Sequence, residues 1–381
     1  MLIYLGSSAL TAFLVSGVLS ILDALSPLAT AHLVLAVAIM PLIFGAITHF
    51  MPVLTRSGGP HRAVWLIPLL LQVAGILVFL YFQGAAGMGA LHAAAGLSLL
   101  SCIGLSAWLV RRARRTLGKP HPGWRWYLAA IACLGAGLAL VPVMSVWPEL
   151  WPSLRLLHLH LNTLGFVGLT AIGTLQVLMP TILSGPDAEA SVRLQQDLPP
   201  ALVGVVLIAI GAAFWWPLSI LGALSLGYVV VRLGSAWLRR YGLRMIVNSG
   251  AAASLAAALI GFLMLLLFGI AHGLGWLSGH DAVPAFVAGF LMPLVTGALS
   301  QLLPVWCIPG RRTAMRDRLH QILGFGGAVR SLVFLAGSVL LAFGQNTGFW
   351  LVAAGLLSFV ALVLRALAVL LFSNSATDKF S

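Results

Sequence analysis

Twelve apolar runs, spaced from one end of the chain to the other, leave it few ways to fold. They cover residues 3–23, 29–54, 63–83, 88–110, 126–147, 156–183, 199–215, 217–237, 248–273, 283–306, 325–344 and 348–372. A helix of about 20 residues crosses the ~30 Å hydrocarbon core of a bilayer. Inside that core every backbone N–H and C=O needs a partner within the protein, and a helix supplies them locally. The short alternating segments of a membrane barrel are missing. Composition agrees: 61% of the 381 residues are hydrophobic and 8% charged, whereas a soluble domain carries about 25% charged residues. The expected fold is an all-α polytopic membrane protein of about twelve transmembrane helices, a single integral membrane domain over residues 1–381. The first run, Leu2 to Leu22, lacks a basic leader and a small-residue cleavage site, so it reads as the first span and not as a signal peptide.

The formal net charge of +13 does not read as a nucleic-acid footprint, because the cations sit in alternate short loops. Arg56 and Arg62 follow span two, and Arg111, Arg112, Arg114, Arg115, Lys119 and Arg125 follow span four. Arg239, Arg240 and Arg244 follow span eight, and Arg311, Arg312, Arg316 and Arg318 follow span ten. The positive-inside rule produces this pattern. It places both termini in the cytoplasm of a bacterial-type inner (cytoplasmic) membrane crossed many times. Arg155 is the clear exception, an outward cation. The polar stretch from Ser184 to Pro200, with Asp187, Glu189, Arg193 and Asp197, reads as a surface linker. Cys102, Cys133 and Cys307 are isolated in or beside apolar runs and read as buried small hydrophobes.

One spacing recurs. His32 is followed after 13 residues by Gly45 and after 7 more by Pro52; His160, Gly173 and Pro180 repeat it in span six, and Pro284, Gly297 and Pro304 in span ten. The segment Met40 to Val53 matches Met292 to Val305 at seven of fourteen positions. A period of about 125 residues, or four helices, implies three pseudo-symmetric four-helix units, approximately 1–118, 119–244 and 245–381.

The chemistry-bearing residues are histidines. His61, His121 and His320 lie in cationic loops and read as ordinary interfacial residues. His32, His92, His158, His160, His272 and His280 all fall at the outer ends of spans or in outer loops. Ionisable groups inside a membrane bundle are rare and usually functional, and imidazole suits haem iron, copper and zinc. Two helical residues two apart point about 200° apart, so His158 and His160 serve different centres. His32 and His160 share a repeat position, hence a depth, which suits opposing axial ligands of one haem between spans two and six. Arg155, three residues before His158, would share its helix face and pair with a propionate; a surface pair with Glu149 is the plainer reading. For each histidine the plainer reading is a hydrogen bond to a neighbouring helix. Phosphate loops, dinucleotide fingerprints, HExxH and paired intramembrane carboxylates are missing.

Twelve helices in three arcs of four, an HxH pair followed by a glycine and a proline in span six, and MPLIFG with FMPVL after His32 in span two resemble the catalytic subunit of haem–copper oxidases and nitric oxide reductases. The resemblance implies that His32 and His160 hold a low-spin haem b and that His158 faces a second haem or copper. The family's copper-ligating segment has no counterpart, and HxH lies on the sixth span, not the tenth. In size the chain is similar to NnrS-type membrane proteins, without their HAHE motif. The function this implies is a haem-binding membrane protein in respiratory electron transfer or nitric oxide handling, an oxidoreductase without a complete haem–copper site. Its partners would be the lipid bilayer and a redox protein or respiratory complex subunit. The alternative is a permease or copper transporter with no redox cofactor, its repeats lining a pathway.

Overall fold

The structure, a computed structural model, describes residues 1–22, 24–279 and 282–377. Asp23, His280 and Asp281 lie outside the described residues, so the expectation for His280 has no structural counterpart. The protein is 86% helical. Among the described residues twelve helices are long and apolar enough to cross a membrane: α1 (Leu2–Ile21), α2 (Pro27–Leu54), α3 (Arg62–Phe82), α4 (Met88–Arg114), α5 (Gly123–Val146), α6 (Pro148–Ile182), α7 (Ala190–Phe214), α8 (Pro217–Asn248), α9 (Gly250–Gly273), α10 (Ala282–Cys307), α11 (Ala314–Ala342) and α12 (Thr347–Phe372). Large apolar side chains such as Leu100, Ile103, Leu224 and Leu364 point outward, while Thr48, Gln72, Ser254 and Thr296 are buried. Lipid-facing leucines around a core that keeps its polar groups are what a bilayer selects.

Several boundaries differ from the sequence reading, among them the end of α8, which runs past residue 237 to Asn248 through a kink at Gly242. Helix α6 begins at Pro148, well before residue 156; Pro148 opens a 3₁₀ turn and Pro152 sits in the first turn of the helix that follows, a position where its missing N–H costs nothing. Helix α11 begins at Ala314 with an amphipathic stretch that turns at Phe325 and Gly326. Helix α7 begins at Ala190, so most of the segment from Ser184 to Pro200 is membrane-helix end and not surface linker. Its charges go inward because they neutralise one another. Arg193 Nη2 lies 2.6 Å from Asp187 Oδ2 and its Nε donates to Gln176 Oε1 at 2.9 Å, with both ionic side chains only 5% exposed. Asp197, one turn on from Arg193, is also buried.

The chain divides into two compact units, residues 1–177 with 187–231, and residues 178–186 with 232–381. In the first, α2 packs between α1 and α3, followed by α3 on α4, α4 on α5, α5 on α6 and α6 on α7. In the second, α9 packs on α10 and α11, and α11 on α10 and α12.

The three helices bearing the recurring spacing share a local device. Each contains a π-helical stretch with wider i→i+5 turns: Leu33–Ile39 in α2, Leu161–Gly168 in α6 and Val287–Leu291 in α10. The α conformation resumes at Met40, Leu169 and Met292. π turns are rare, usually single, and concentrate at functional sites. In α2 the sequence supplies a reason. Pro41 has no N–H, which leaves the Val37 carbonyl short of its helical donor, and the buried Gln72 of α3 donates to that oxygen at 3.3 Å and to Ser8 Oγ at 2.8 Å. The glycine of each spacing then admits the preceding helix. A methyl group on Gly45 would lie 2.6 Å from Leu5 Cδ1, on Gly173 2.7 Å from Trp126 Cβ, and on Gly297 2.9 Å from Ser254 Cβ.

Candidate metal centre

In the first unit three histidines project from the ends of α2 and α6 that lie farthest from the arginine-rich loops. His32 ends the first turns of α2, immediately before the π stretch; His160 holds the same place in α6. Each is half-buried. His32 Nδ1 lies 2.7 Å from the Leu28 carbonyl, His160 Nδ1 2.8 Å from that of Leu156, and His158 Nδ1 2.8 Å from that of Gly137 in α5. A carbonyl oxygen only accepts, so in all three rings Nδ1 carries the hydrogen and Nε2 carries the lone pair. Metal-bound imidazoles have this arrangement, the second nitrogen orienting the ring by donating to a carbonyl or carboxylate. One face of His32 stacks on Phe82 of α3, centroids 4.5 Å apart. His32 also lies within electrostatic reach of His158.

Within HxH, His158 reaches across to α5 while His160 bonds within its own helix. The helix is continuous from Trp151 to His160, so Arg155 and His158 lie on one face. Arg155 is exposed, its guanidinium 5.2 Å from the centre of the Trp151 ring. His92 Nε2 lies 3.1 Å from Ser145 Oγ, joining α4 to α5. His272 belongs to the second unit, where its Nδ1 donates to Leu277 O at 2.9 Å. Among the described residues no three or more His, Cys, Asp or Glu side chains converge as a metal-ion site. Haem, whose porphyrin supplies four donors, asks the protein for one or two.

Sequence reasoning missed Asn162. It lies in the π stretch of α6, four residues after His158, with its side chain against Gly137, the residue whose carbonyl holds His158. A methyl group on Gly137 would come 2.9 Å from Asn162 Oδ1. That oxygen is buried without a hydrogen-bond partner among the described residues, and a buried unpaired acceptor costs about 1–3 kcal/mol. A lone amide in an apolar run, one turn from a candidate ligand, was its signal. The residues present fit an axially ligated haem: neutral imidazoles of fixed tautomer, a cation within one turn, and an unmet polar atom beside them.

No protein-family model, curated protein or solved structure matches this chain.

Proposed function

We propose that this multi-pass membrane protein binds haem b in its first unit and serves in respiratory electron transfer or nitric oxide handling. His32 and His160 would hold the iron of one haem, His158 would face a second haem or a copper ion, and Arg155 would meet propionates. The observation that carries this reading is the common orientation of the three rings, each Nδ1–H donating to a carbonyl, so that in the neutral imidazole Nε2 is the nitrogen with the lone pair. The bound iron would supply a one-electron couple. The chain's own residues hold the rings in place: Leu28 and Leu156 carbonyls fix the two axial candidates, Gly137 fixes His158, and Phe82 restricts rotation of His32. In this reading the arginine-rich loops face the cytoplasm with both termini, and a redox protein docks on the opposite side. The electrostatic coupling of His32 to His158 offers a second assignment, in which those two share a centre.

Absorption spectra of the full chain, purified after expression with haem available, test the reading. It expects a Soret band and bis-imidazole bands in the reduced form, lost in His32→Ala and His160→Ala but kept in His158→Ala. Loss in His158→Ala with retention in His160→Ala selects the second assignment. Bound copper without any Soret band overturns haem binding and favours copper handling.

A further inference from the structure

At the opposite end of the first unit, about 30 Å from the histidines by the length of α2, lies a cavity of about 360 Å3. Its lining includes Arg56 from the end of α2, Lys119 and His121 from the loop before α5, and Ser191 and Gln195 from the first turns of α7. No carboxylate is among its lining residues. Asp187, close by in sequence, is taken up by Arg193.

The loops that carry the basic groups are held in place. Arg56 has φ 48, in the left-handed turn that ends α2, where Ser57 N donates to Pro52 O at 3.0 Å and Arg56 N to Val53 O at 3.3 Å. Glycine is the usual occupant of such a position, because a side chain there is strained. The loop beyond is clamped to α4 by Arg112, whose Nε donates to Ser57 Oγ at 2.9 Å and whose Nη2 donates to the Gly58 carbonyl. His121 N donates to the Leu54 carbonyl at 3.0 Å, tying the second loop to the end of α2, and Pro120 and Pro122 stiffen it on either side. His121 Nδ1 accepts from Gly123 N at 3.3 Å, so its Nε2 carries a hydrogen available for donation. Helix α7 has no side-chain cap, and its first turn presents the positive end of the helix dipole.

The geometry points to a binding site for a phosphate-type oxyanion in this cavity, with Arg56 and Lys119 as its charged contacts and His121 as a neutral donor. Arginine matches the oxygens of phosphate in a two-point contact. Basic pockets among the ends of membrane helices take the headgroups of anionic lipids, and inorganic phosphate offers the same oxygens. The site is independent of the histidine centre and stands or falls separately from haem binding.

Thermal melting of the full chain tests it, with two probes. In zwitterionic detergent, inorganic phosphate is titrated against chloride at equal ionic strength. In nanodiscs, phosphatidylcholine alone is compared with phosphatidylcholine containing phosphatidylglycerol. The wild type is expected to melt higher with the anion. A response to both probes, or to the lipid alone, assigns the site to headgroups; a response to inorganic phosphate alone assigns it to a soluble anion. Arg56→Gly, which removes the guanidinium and relieves the backbone, is expected to melt no lower than wild type without anion. The anion concentration giving half its effect is expected to rise at least about tenfold, the loss of one charge-assisted contact. Lys119→Gln is expected to lose response in the same direction. A wild type indifferent to both probes, or an Arg56→Gly variant that responds as wild type does, overturns the site.

Discussion

Helices α2 and α6 on one side and α10 on the other are built alike and equipped differently. All three have a π stretch, a glycine against the preceding helix, and a proline seven residues later. Three residues past the glycine each buries a polar side chain: Thr48, Gln176 and Ser300. Yet α2 and α6 carry His32 and His160 where α10 carries Pro284. The frame is therefore a packing device that needs no histidine. The imidazoles are an addition to it, confined to two of its three appearances, and that is why the proposed chemistry is assigned to the first unit.

The comparison breaks most readily at the glycines. A leucine at Gly173 would have to displace Trp126, and one at Gly297 would have to displace Ser254 and Leu255. Overpacking of this kind costs about 3 kcal/mol. The two variants should lose folded, monodisperse protein to a similar degree; if Gly297→Leu is tolerated, α10 is not the equivalent of α6. The next effect separates α2 from α10. Pro41 and Pro293 each leave a carbonyl four residues back without its usual donor. Gln72 bonds to that of Val37, whereas that of Gly289 lies against the backbone of Gly261. Gln72→Leu should therefore cost about 1–3 kcal/mol, the desolvation of an unpaired buried group, measured as a lowered melting midpoint. The smallest effect has opposite signs in the two settings. Four residues beyond each proline stand Arg56 (φ 48), Ser184 (φ 52) and Ile308 (φ −127). Arg56→Gly and Ser184→Gly should stabilise by up to about 1 kcal/mol, because glycine relieves the left-handed turn. Ile308→Gly, at an ordinary backbone angle, should destabilise.

The alternation of apolar runs and arginine-bearing loops was enough to read the number of spans, because the bilayer imposes both. The glycine and proline spacing was legible because close helix contact admits few other residues. The π stretches were not: in a run where nearly every position is apolar, an extra residue per turn leaves no mark on the hydrophobic pattern. Asp187, Arg193 and Asp197 were misread because isolated charges normally seek water, and sequence does not reveal that Arg193 reaches Asp187 and Gln176 inside the bundle. Of the candidate centre, the histidines and Arg155 were legible as expensive residues in apolar surroundings. The roles of Gly137, Phe82 and Asn162 depend on contacts between helices and became visible only with the fold.

The central claim is that α2 and α6 use their shared histidine position to hold one iron. A reduced-minus-oxidised absorption spectrum of the purified full chain, recorded beside His160→Ala, tests it most directly. The account predicts bis-imidazole haem b bands in the wild type and their loss in the variant, with the melting profile of the protein otherwise kept. A wild type without a Soret band, or a His160→Ala protein with an unchanged bis-imidazole spectrum, would contradict it.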